Sequence, residues 1–200
     1  MHWQNLPELM SKLAQDSSRD AVVARLLVLT GARSHMIRFA QWSEIDLVAG
    51  IWALPAERMK MRKPFTIPLP VQAVEILKSL PRMDSPYLFP GKGKSGAIHA
   101  NAVRNLLHKL GHTDITRHGF RSTFRDWCAE KTQYANEVAE MALAHTVANK
   151  VEAAYRRGDM LDKRRSLMQD WAEYATQSPQ GTDVTDGHQD VVSGAIKSTA

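Results

Sequence analysis

The chain has 200 residues, of which 44% are hydrophobic and 24% charged, and its formal net charge is +5. These values fit one soluble domain with a packed core and exclude a wholly disordered or fibrous chain. A single cysteine excludes an internal disulfide. The sequence has neither a long apolar run nor a signal-like start, so we expect a cytoplasmic protein with no membrane partner.

The charge is divided unevenly along the chain. Residues beyond 175 carry three aspartates and one lysine, a net −2, which leaves +7 on residues 1–175. We therefore expect one domain over residues 1–176 and a disordered tail over residues 177–200, which lacks the apolar content to pack. A basic body with an acidic tail favours a polyanionic partner, most often nucleic acid.

The first part of the chain predicts two helices and a hairpin. The segment DAVVARLLVLTG is apolar nearly all round, which predicts a buried helix capped by Gly31. Arg33 follows at once, and a second helix begins at Ser34. GIWALP and FTIPL are typical of two paired strands. The turn between them holds four cations: Arg58, Lys60, Arg62 and Lys63.

The rest of the chain predicts further helices and one long loop. VQAVEILKSL and NAVRNLLHKLG are amphipathic, and residues 81–99 between them are rich in Pro, Gly and Ser. ANEVAEMALAH and ANKVEAAYRRG predict two short helices, and DMLDKRRSLMQDWAEYA predicts a longer one. The expected fold class is therefore mainly α with a small antiparallel β-sheet.

The segment TRHGFRSTFRDW, residues 116–127, predicts a helix with two unlike faces. At 100° per residue, His118, Arg121 and Arg125 fall within a narrow arc. The opposite face carries the aromatic side chains of Phe120, Phe124 and Trp127. Burial of the aromatic face would leave the cationic face free for a partner, although an isolated H-x-x-R is more often simply solvated.

Two motifs that suggest phosphate or metal binding do not fit their patterns. GKGKS at residues 91–95 lacks the glycine that a phosphate loop needs at position 88, which is Leu88, so we interpret it as a flexible basic loop near phosphates. HKLGH at residues 108–112 has no glutamate, and Gly111 ends the helix before the second histidine aligns. We expect no metal and no cofactor, so any phosphodiester cleavage would proceed without metal.

Six residues have the chemistry to act together on a phosphate without metal. They are Arg33, Lys60, His118, Arg121, His145 and Tyr155. Such a reaction needs two cations for the non-bridging oxygens, a proton donor for the leaving hydroxyl, a base and a nucleophile. Each of these roles has a candidate in the set.

In chain order the six read Arg, Lys, His-x-x-Arg, His, Tyr, which resembles the tyrosine recombinases, specifically the catalytic domain of phage and genomic-island integrases. The sequence segments around these residues are similar too: LTGAR, QWSEIDL, LPAERMKMRKPFTIPL, YLFPG, HGFRSTF, and LAH followed by AAY. The resemblance covers residues 5–175 and implies the DNA breaking-and-rejoining fold. It also implies site-specific strand cleavage and rejoining, in the integration or excision of a mobile element.

By this resemblance, Arg33 and Arg121 clamp the scissile phosphate and His145 hydrogen-bonds it. Tyr155 attacks to give a 3′-phosphotyrosine, which a 5′-hydroxyl of a second strand reverses without ATP. His118 assists removal of the tyrosine proton.

The resemblance also implies that Lys60 protonates the leaving 5′-oxygen. Lys63 is a nearby rival, and Lys60 is preferred because it lies eight residues before Pro68, as in the hairpin of the family. The expected partner is double-stranded DNA, held by a homo-oligomer in a tetrameric synapse. The residues expected to contact DNA outside the reacting centre are Arg58, Arg62, Lys63 and Arg125.

The sequence departs from the family pattern at two positions and lacks its upstream region. An acidic residue usually lies three residues after the first arginine, where this chain has Met36, and a histidine is often found where it has Phe65. Loss of the acidic brace is expected to leave Arg33 less well oriented. Only 32 residues precede Arg33, so we expect the N-terminal DNA-binding domains to be absent.

Two alternatives remain open beside a recombinase catalytic domain. A type IB topoisomerase uses the same chemistry to relax supercoils, although the integrase-like sequence around the six residues disfavours this alternative. A DNA-binding remnant would keep the fold without the activity, as Met36 and the missing upstream region suggest.

Overall fold

The computed structural model describes residues 1–59, 61–115, 119–145 and 159–178. Lys60, His118 and Tyr155 lie outside the described residues, as do the short helix expected from ANKVEAAYRRG and nearly all of the expected tail. Within the described residues, no helix is long and apolar enough to cross a membrane.

The described residues form eight α-helices and one small sheet, which confirms the expected fold class. The helices are Leu6–Gln15 (α1), Arg19–Thr30 (α2), Ser34–Arg38 (α3), Val71–Ser79 (α4), Ala102–Lys109 (α5), Gly119–Lys131 (α6), Asn136–Ala142 (α7) and Leu161–Thr176 (α8). The strands are Ile45–Asp46 (β1), Ile51–Leu54 (β2) and Phe65–Pro68 (β3), all antiparallel in the order β1-β2-β3.

The largely apolar helix α2 lies at the centre of the domain, as its sequence predicts. It packs against α1, α4, α5 and α8, and its residues Leu26 to Thr30 are all buried. Gly31 ends the helix with a left-handed φ of +60°. A Cβ on Gly31 would lie 3.0 Å from Leu143 Cδ2, so the residue is glycine both for its φ and for the close approach of the segment after α7.

An aromatic cluster fixes α6 and α8 against this central helix. The rings of Phe124, Trp127, Trp171 and Tyr174 lie 5.1–6.5 Å apart in edge-on, tilted and stacked pairs. The indole of Trp171 donates to the carbonyl of Val28 on α2 at 2.8 Å. Because α6 is tied down along its aromatic side, the orientation of its remaining faces is set by the core.

The hairpin of β2 and β3 has the predicted pairing, with Trp52 opposite Ile67. Both side chains are buried. The long loop of residues 81–99 is also confirmed as a loop, but it is not irregular throughout, because Tyr87 bridges to Gln41 and Pro90 bridges to Ala97. The loop is therefore held to the domain at two points.

Candidate active site

Arg33 lies at the junction between α2 and α3. Gly31 ends the first helix, and Arg33 is the N-terminal cap of the second, with extended backbone angles. Its guanidinium Nη2 donates to the carbonyl of Ala144, just after α7, at 3.1 Å. A short glycine-containing turn thus aims the side chain of Arg33 across to a distant segment of the chain.

Arg121 reaches the same place from α6. Its Nη1 donates to the carbonyl of Gly31, and its Nη2 donates to the carbonyl of Leu143 at 2.5 Å. The same Nη2 lies 2.8 Å from His145 Nε2. The side chains of Arg33 and Arg121 are therefore tied to neighbouring carbonyls, those of Ala144 and Leu143.

The cationic face of α6 is less open than its sequence pattern suggests. The aromatic side chains of Phe120, Phe124 and Trp127 are buried as predicted, but Arg121 is buried with them at 7% exposure. On the helix, Arg121 lies only about 60° from Phe124, so the core covers both side chains. The burial is tolerated because carbonyl oxygens and an imidazole accept the N–H groups of the guanidinium.

His145 is positioned by the way in which α7 ends. Ala144 has a left-handed φ of +50°, its N–H donates to Met141 O at 3.0 Å, and the N–H of His145 donates to Glu140 O at 3.0 Å. These two bonds form a Schellman-type helix end, in which the left-handed residue is usually glycine. The sharp turn places the imidazole beside Arg121.

The two ring nitrogens of His145 have different partners. Nδ1 lies 2.6 Å from Glu140 Oε2, and Nε2 faces Arg121. Because a guanidinium only donates, Nε2 must accept, so the ring hydrogen lies on Nδ1 and is donated to Glu140. Burial, together with Arg121, Arg33 and Arg125, lowers the pKa of His145 to about 4. The imidazole is therefore neutral at pH 7.

Glu140 also pairs with Arg125. Arg125 Nη1 contacts Glu140 Oε1, and Arg125 Nη2 donates to Asn136 Oδ1 at 3.2 Å. Glu140 thus links a half-exposed arginine to the imidazole. The expected contact between Arg125 and DNA stays a prediction, and an approaching phosphate would have to share the guanidinium with Glu140.

Arg58 is held by a second carboxylate that the sequence analysis did not single out. Its Nη1 contacts both oxygens of Glu44, and its Nη2 donates to Met36 O at 2.8 Å. Glu44 is 8% exposed and accepts from the indole of Trp52 at 3.0 Å. The expected DNA contact of Arg58 stays a prediction, as do those of Arg62 and Lys63 in the exposed turn beyond it.

Met36 occupies the position where the family pattern has an acidic residue. Its side chain is buried, and its sulfur accepts from the backbone N–H of Arg33 at 3.3 Å. It holds the backbone of Arg33, whereas the guanidinium is held by Ala144 O. The role expected of a carboxylate brace is thus divided between a thioether and a carbonyl.

An open cavity of about 520 Å³ lies in front of these groups. Its described lining residues contain no carboxylate: they are Arg33, His35, Met36, Arg58, Met59, Met61, Ala144 and His145. Arg121 is not in this lining and reaches the cavity through His145. Burial and the nearby charges of Arg58 and Arg33 lower the pKa of His35, and burial with Arg33 lowers that of Arg121 to about 10. Such a cavity suits an anion.

Of the six residues in the motif, three are therefore close together in the described part of the chain: Arg33, Arg121 and His145. Lys60, His118 and Tyr155 lie outside it. Glu44 and Glu140 were not among the residues predicted from the sequence. Glu140 lies five residues before His145, and a carboxylate at that spacing before a helix-ending histidine is a signal that could have identified it.

Comparison with known proteins matches residues 1–161 to the phage integrase family. The integrase of Enterobacteria phage P4 is 33% identical over 189 residues, which are 84% of this chain and 43% of that protein. Prophage integrase IntZ of Escherichia coli (strain K12) is 36% identical over 152 residues, which are 74% of this chain and 38% of that protein. The chain thus spans less than half the length of these two relatives.

Among solved structures, the integrase from mycobacterium phage Brujita superimposes with a TM-score of 0.62. The alignment covers 90% of this chain and 60% of that one, at 21% sequence identity. This likeness is one of fold.

Proposed function

This chain belongs to the phage integrase family, and on that premise we propose that it cleaves and rejoins DNA strands at a specific site through a 3′-phosphotyrosine intermediate. The substrate is double-stranded DNA, and the biological outcome is integration or excision of a mobile element. We propose that the reacting complex is a homo-oligomeric, tetrameric synapse on DNA.

One observation supports this proposal most strongly. Arg33, Arg121 and His145 come from segments far apart in the chain and meet beside a cavity whose described lining has no carboxylate. Two guanidiniums and an imidazole provide N–H donors suited to the equatorial oxygens of a phosphodiester in its transition state. Of the five N–H groups of Arg121, three have partners among the described residues, which leaves donors for an oxygen.

Phosphate binding requires a change at His145. In the free protein Nε2 accepts from Arg121, so it has no hydrogen to donate. The negative charge of a bound diester favours the imidazolium, which would donate from Nε2 to the phosphate while Nδ1–H stays on Glu140. Glu140 therefore acts as a positioning residue that holds the ring in both states.

We propose that Tyr155 is the nucleophile, with His118 helping to remove its proton, and that Lys60 protonates the 5′-oxygen that leaves. The P–O bond to the 5′-oxygen breaks as the bond to the phenolic oxygen forms, so the ester energy is retained. The reverse attack by a 5′-hydroxyl releases the tyrosine. A phenol with a pKa of about 10 needs cationic surroundings to react at neutral pH.

The proposal is tested with a pool of nicked duplexes whose sequence around the nick is randomised, so that the target site need not be known. Cleavage near the nick releases a short 5′-hydroxyl fragment and leaves protein attached to a DNA 3′ end. We expect Tyr155→Phe to abolish the adduct while duplex binding is retained, because only a hydroxyl is lost. Tyr134→Phe, which removes a hydroxyl bonded to Asp170, is the matched control and should leave the adduct unchanged.

An adduct that survives Tyr155→Phe would move the nucleophile to another residue. Duplex binding by the unaltered protein with no adduct from any sequence in the pool would favour the DNA-binding remnant instead.

The role of Lys60 is tested with sulfur at the 5′-bridging position of the scissile phosphate. Lys60→Ala should slow cleavage of ordinary DNA by about 10²–10⁴-fold. The cleavage rate of this variant should recover on the sulfur substrate, because a thiolate leaves without a proton. If the sulfur substrate restores the cleavage rate of Lys63→Ala and not that of Lys60→Ala, the general acid is Lys63.

A further inference from the structure

A second basic surface lies beyond α3, at the opposite end of that helix from Arg33. It is an open groove of about 820 Å³, which we call the basic groove. The cationic and imidazole side chains in its lining are Arg19, Arg38, Lys92, Lys94 and His99. No carboxylate is found among its described lining residues, so the groove favours an anionic ligand.

The loop that forms one wall of the basic groove is ordered by its own backbone. Pro90 pairs with Ala97, and the N–H of Gly91 donates to Gly96 O at 3.0 Å. A Cβ on Gly91 would lie 2.2 Å from Ala97 O, so no other residue fits there without movement of the loop. The motif GKGKS is therefore part of a tight hairpin-like loop, not of a phosphate loop followed by a helix.

Two arginines from the core helices hold this loop in place. Arg38 Nε donates to Ile98 O at 2.7 Å, and its Nη2 donates to Ser95 Oγ at 2.9 Å. Arg19 Nη1 donates to Pro90 O. Both ends of the loop are thus anchored, while the side chains of Lys92 and Lys94 at its tip are exposed. These two lysines are presented to solvent from a fixed base.

Shared lining residues link the basic groove to the candidate active site. His35 lines the cavity at Arg33 and also a small cavity of about 90 Å³, and Arg38 and His99 line both that small cavity and the basic groove. Arg33 and Arg38 are five residues apart, which corresponds to about 7.5 Å along a helix. One strand of a duplex carries a phosphate about every 3.4 Å along its axis. The end of the groove at Arg38 therefore lies within a few phosphates of Arg33.

We propose that the basic groove binds backbone phosphates of the duplex that is cleaved at the active site, with Lys92 and Lys94 as the two main contacts. This inference rests on the proposed function and adds to it a second anchoring point, separate from the cations in the turn between β2 and β3. The lysine ammonium interacts with a phosphate as a compact point charge, so the contact strengthens binding to every sequence equally and carries no base specificity.

The test is the salt dependence of duplex binding by the variant Lys92→Gln/Lys94→Gln. Loss of two phosphate contacts should make the slope of log K against log salt shallower by about 1.8. The affinity advantage of the unaltered protein over the variant should then shrink about tenfold between roughly 50 and 200 mM salt. The adduct rate at saturating DNA should not change, since neither lysine touches the reacting phosphate.

The matched control is Lys78→Gln/Lys163→Gln, which removes the same charge from exposed lysines on α4 and α8 that line neither cavity. Its salt slope should equal that of the unaltered protein. An unchanged slope in Lys92→Gln/Lys94→Gln, or an equal change of slope in both variants, would contradict phosphate binding in the basic groove. Adduct formation by the unaltered protein in the same experiment reports on the proposed function separately, so the two failures are distinguishable.

Discussion

Arg58 lines the cavity at Arg33 and Arg121 reaches that cavity through His145, but among the described residues only Arg58 is paired with a carboxylate. Arg58 is paired with the carboxylate of Glu44. Arg121 is bonded to two carbonyls and to a neutral imidazole. Carbonyl dipoles satisfy the N–H groups of a guanidinium without cancelling its charge, whereas a carboxylate cancels it.

The difference indicates separate roles for the two arginines. Arg121 is a buried cation with no carboxylate partner among the described residues, and its desolvation cost is reflected in its lowered pKa. A bound anion would offset that cost, so Arg121 is suited to meet a phosphate. Arg58, whose charge is already matched, ties the strands to α3 through Glu44 and Met36 O. The comparison leads us to expect catalytic loss at Arg121 and stability loss at the Glu44 pair.

The largest effect is expected from Arg121→Lys. A lysine keeps the charge but cannot span the carbonyls of Gly31 and Leu143 and still reach a phosphate, because its three donors lie on one nitrogen. Loss of the guanidinium N–H donors to the phosphate should slow adduct formation by about 10²–10³-fold. Single-turnover cleavage at saturating DNA measures it. The control is Arg58→Lys, which should show a much smaller loss, and equal losses in the two variants would remove the distinction between them.

A smaller effect, on folding, is expected from Glu44→Gln. The amide keeps the volume and a bond to Trp52, but it leaves the partly buried Arg58 without a counter-charge, which should lower the free energy of unfolding by about 2–3 kcal/mol. For a chain of this size that is a fall in Tm of roughly 5–10 °C. Glu8→Gln, at the exposed pair with Lys12, should be nearly neutral. A Tm of Glu44→Gln equal to that control would contradict the account.

The smallest effect is expected at the turn that presents the carbonyls to the two arginines. Ala144 has a φ of +50°, so Ala144→Gly should relieve backbone strain and stabilise the protein by about 0.5–1 kcal/mol. Ala139→Gly, in the middle of α7, should instead destabilise it by about 1 kcal/mol. Chemical denaturation measures both changes. If both variants lose stability, the left-handed turn is not the conformation in solution.

Much of this arrangement could be predicted from sequence, and the rest depends on contacts between distant segments. Apolar periodicity is sufficient for α2 and for the hairpin strands. The left-handed cap at Gly31 follows from its position after an apolar run. The burial of Arg121 could not be predicted, because it depends on carbonyls of Gly31 and Leu143 that lie 90 and 22 residues away.

Glu44 could not be predicted for a related reason. Glu44 lies in a short 3₁₀ turn, where no helical or strand periodicity marks it as inward-facing. Its partner Arg58 is 14 residues away across the sheet. The ordered motif of six residues predicts which residues meet, but it contains no information on what holds them.

The most direct measurement of the central claim is a crystal structure of Tyr155→Phe bound to a nicked duplex that supports adduct formation by the unaltered protein. The account predicts one phosphate whose non-bridging oxygens lie within about 3.2 Å of Arg33, Arg121 and His145 Nε2. Glu140 should still be bonded to Nδ1. A scissile phosphate bound elsewhere, with Arg121 Nη2 still on His145 Nε2 and the cavity at Arg33 free of DNA, would contradict it.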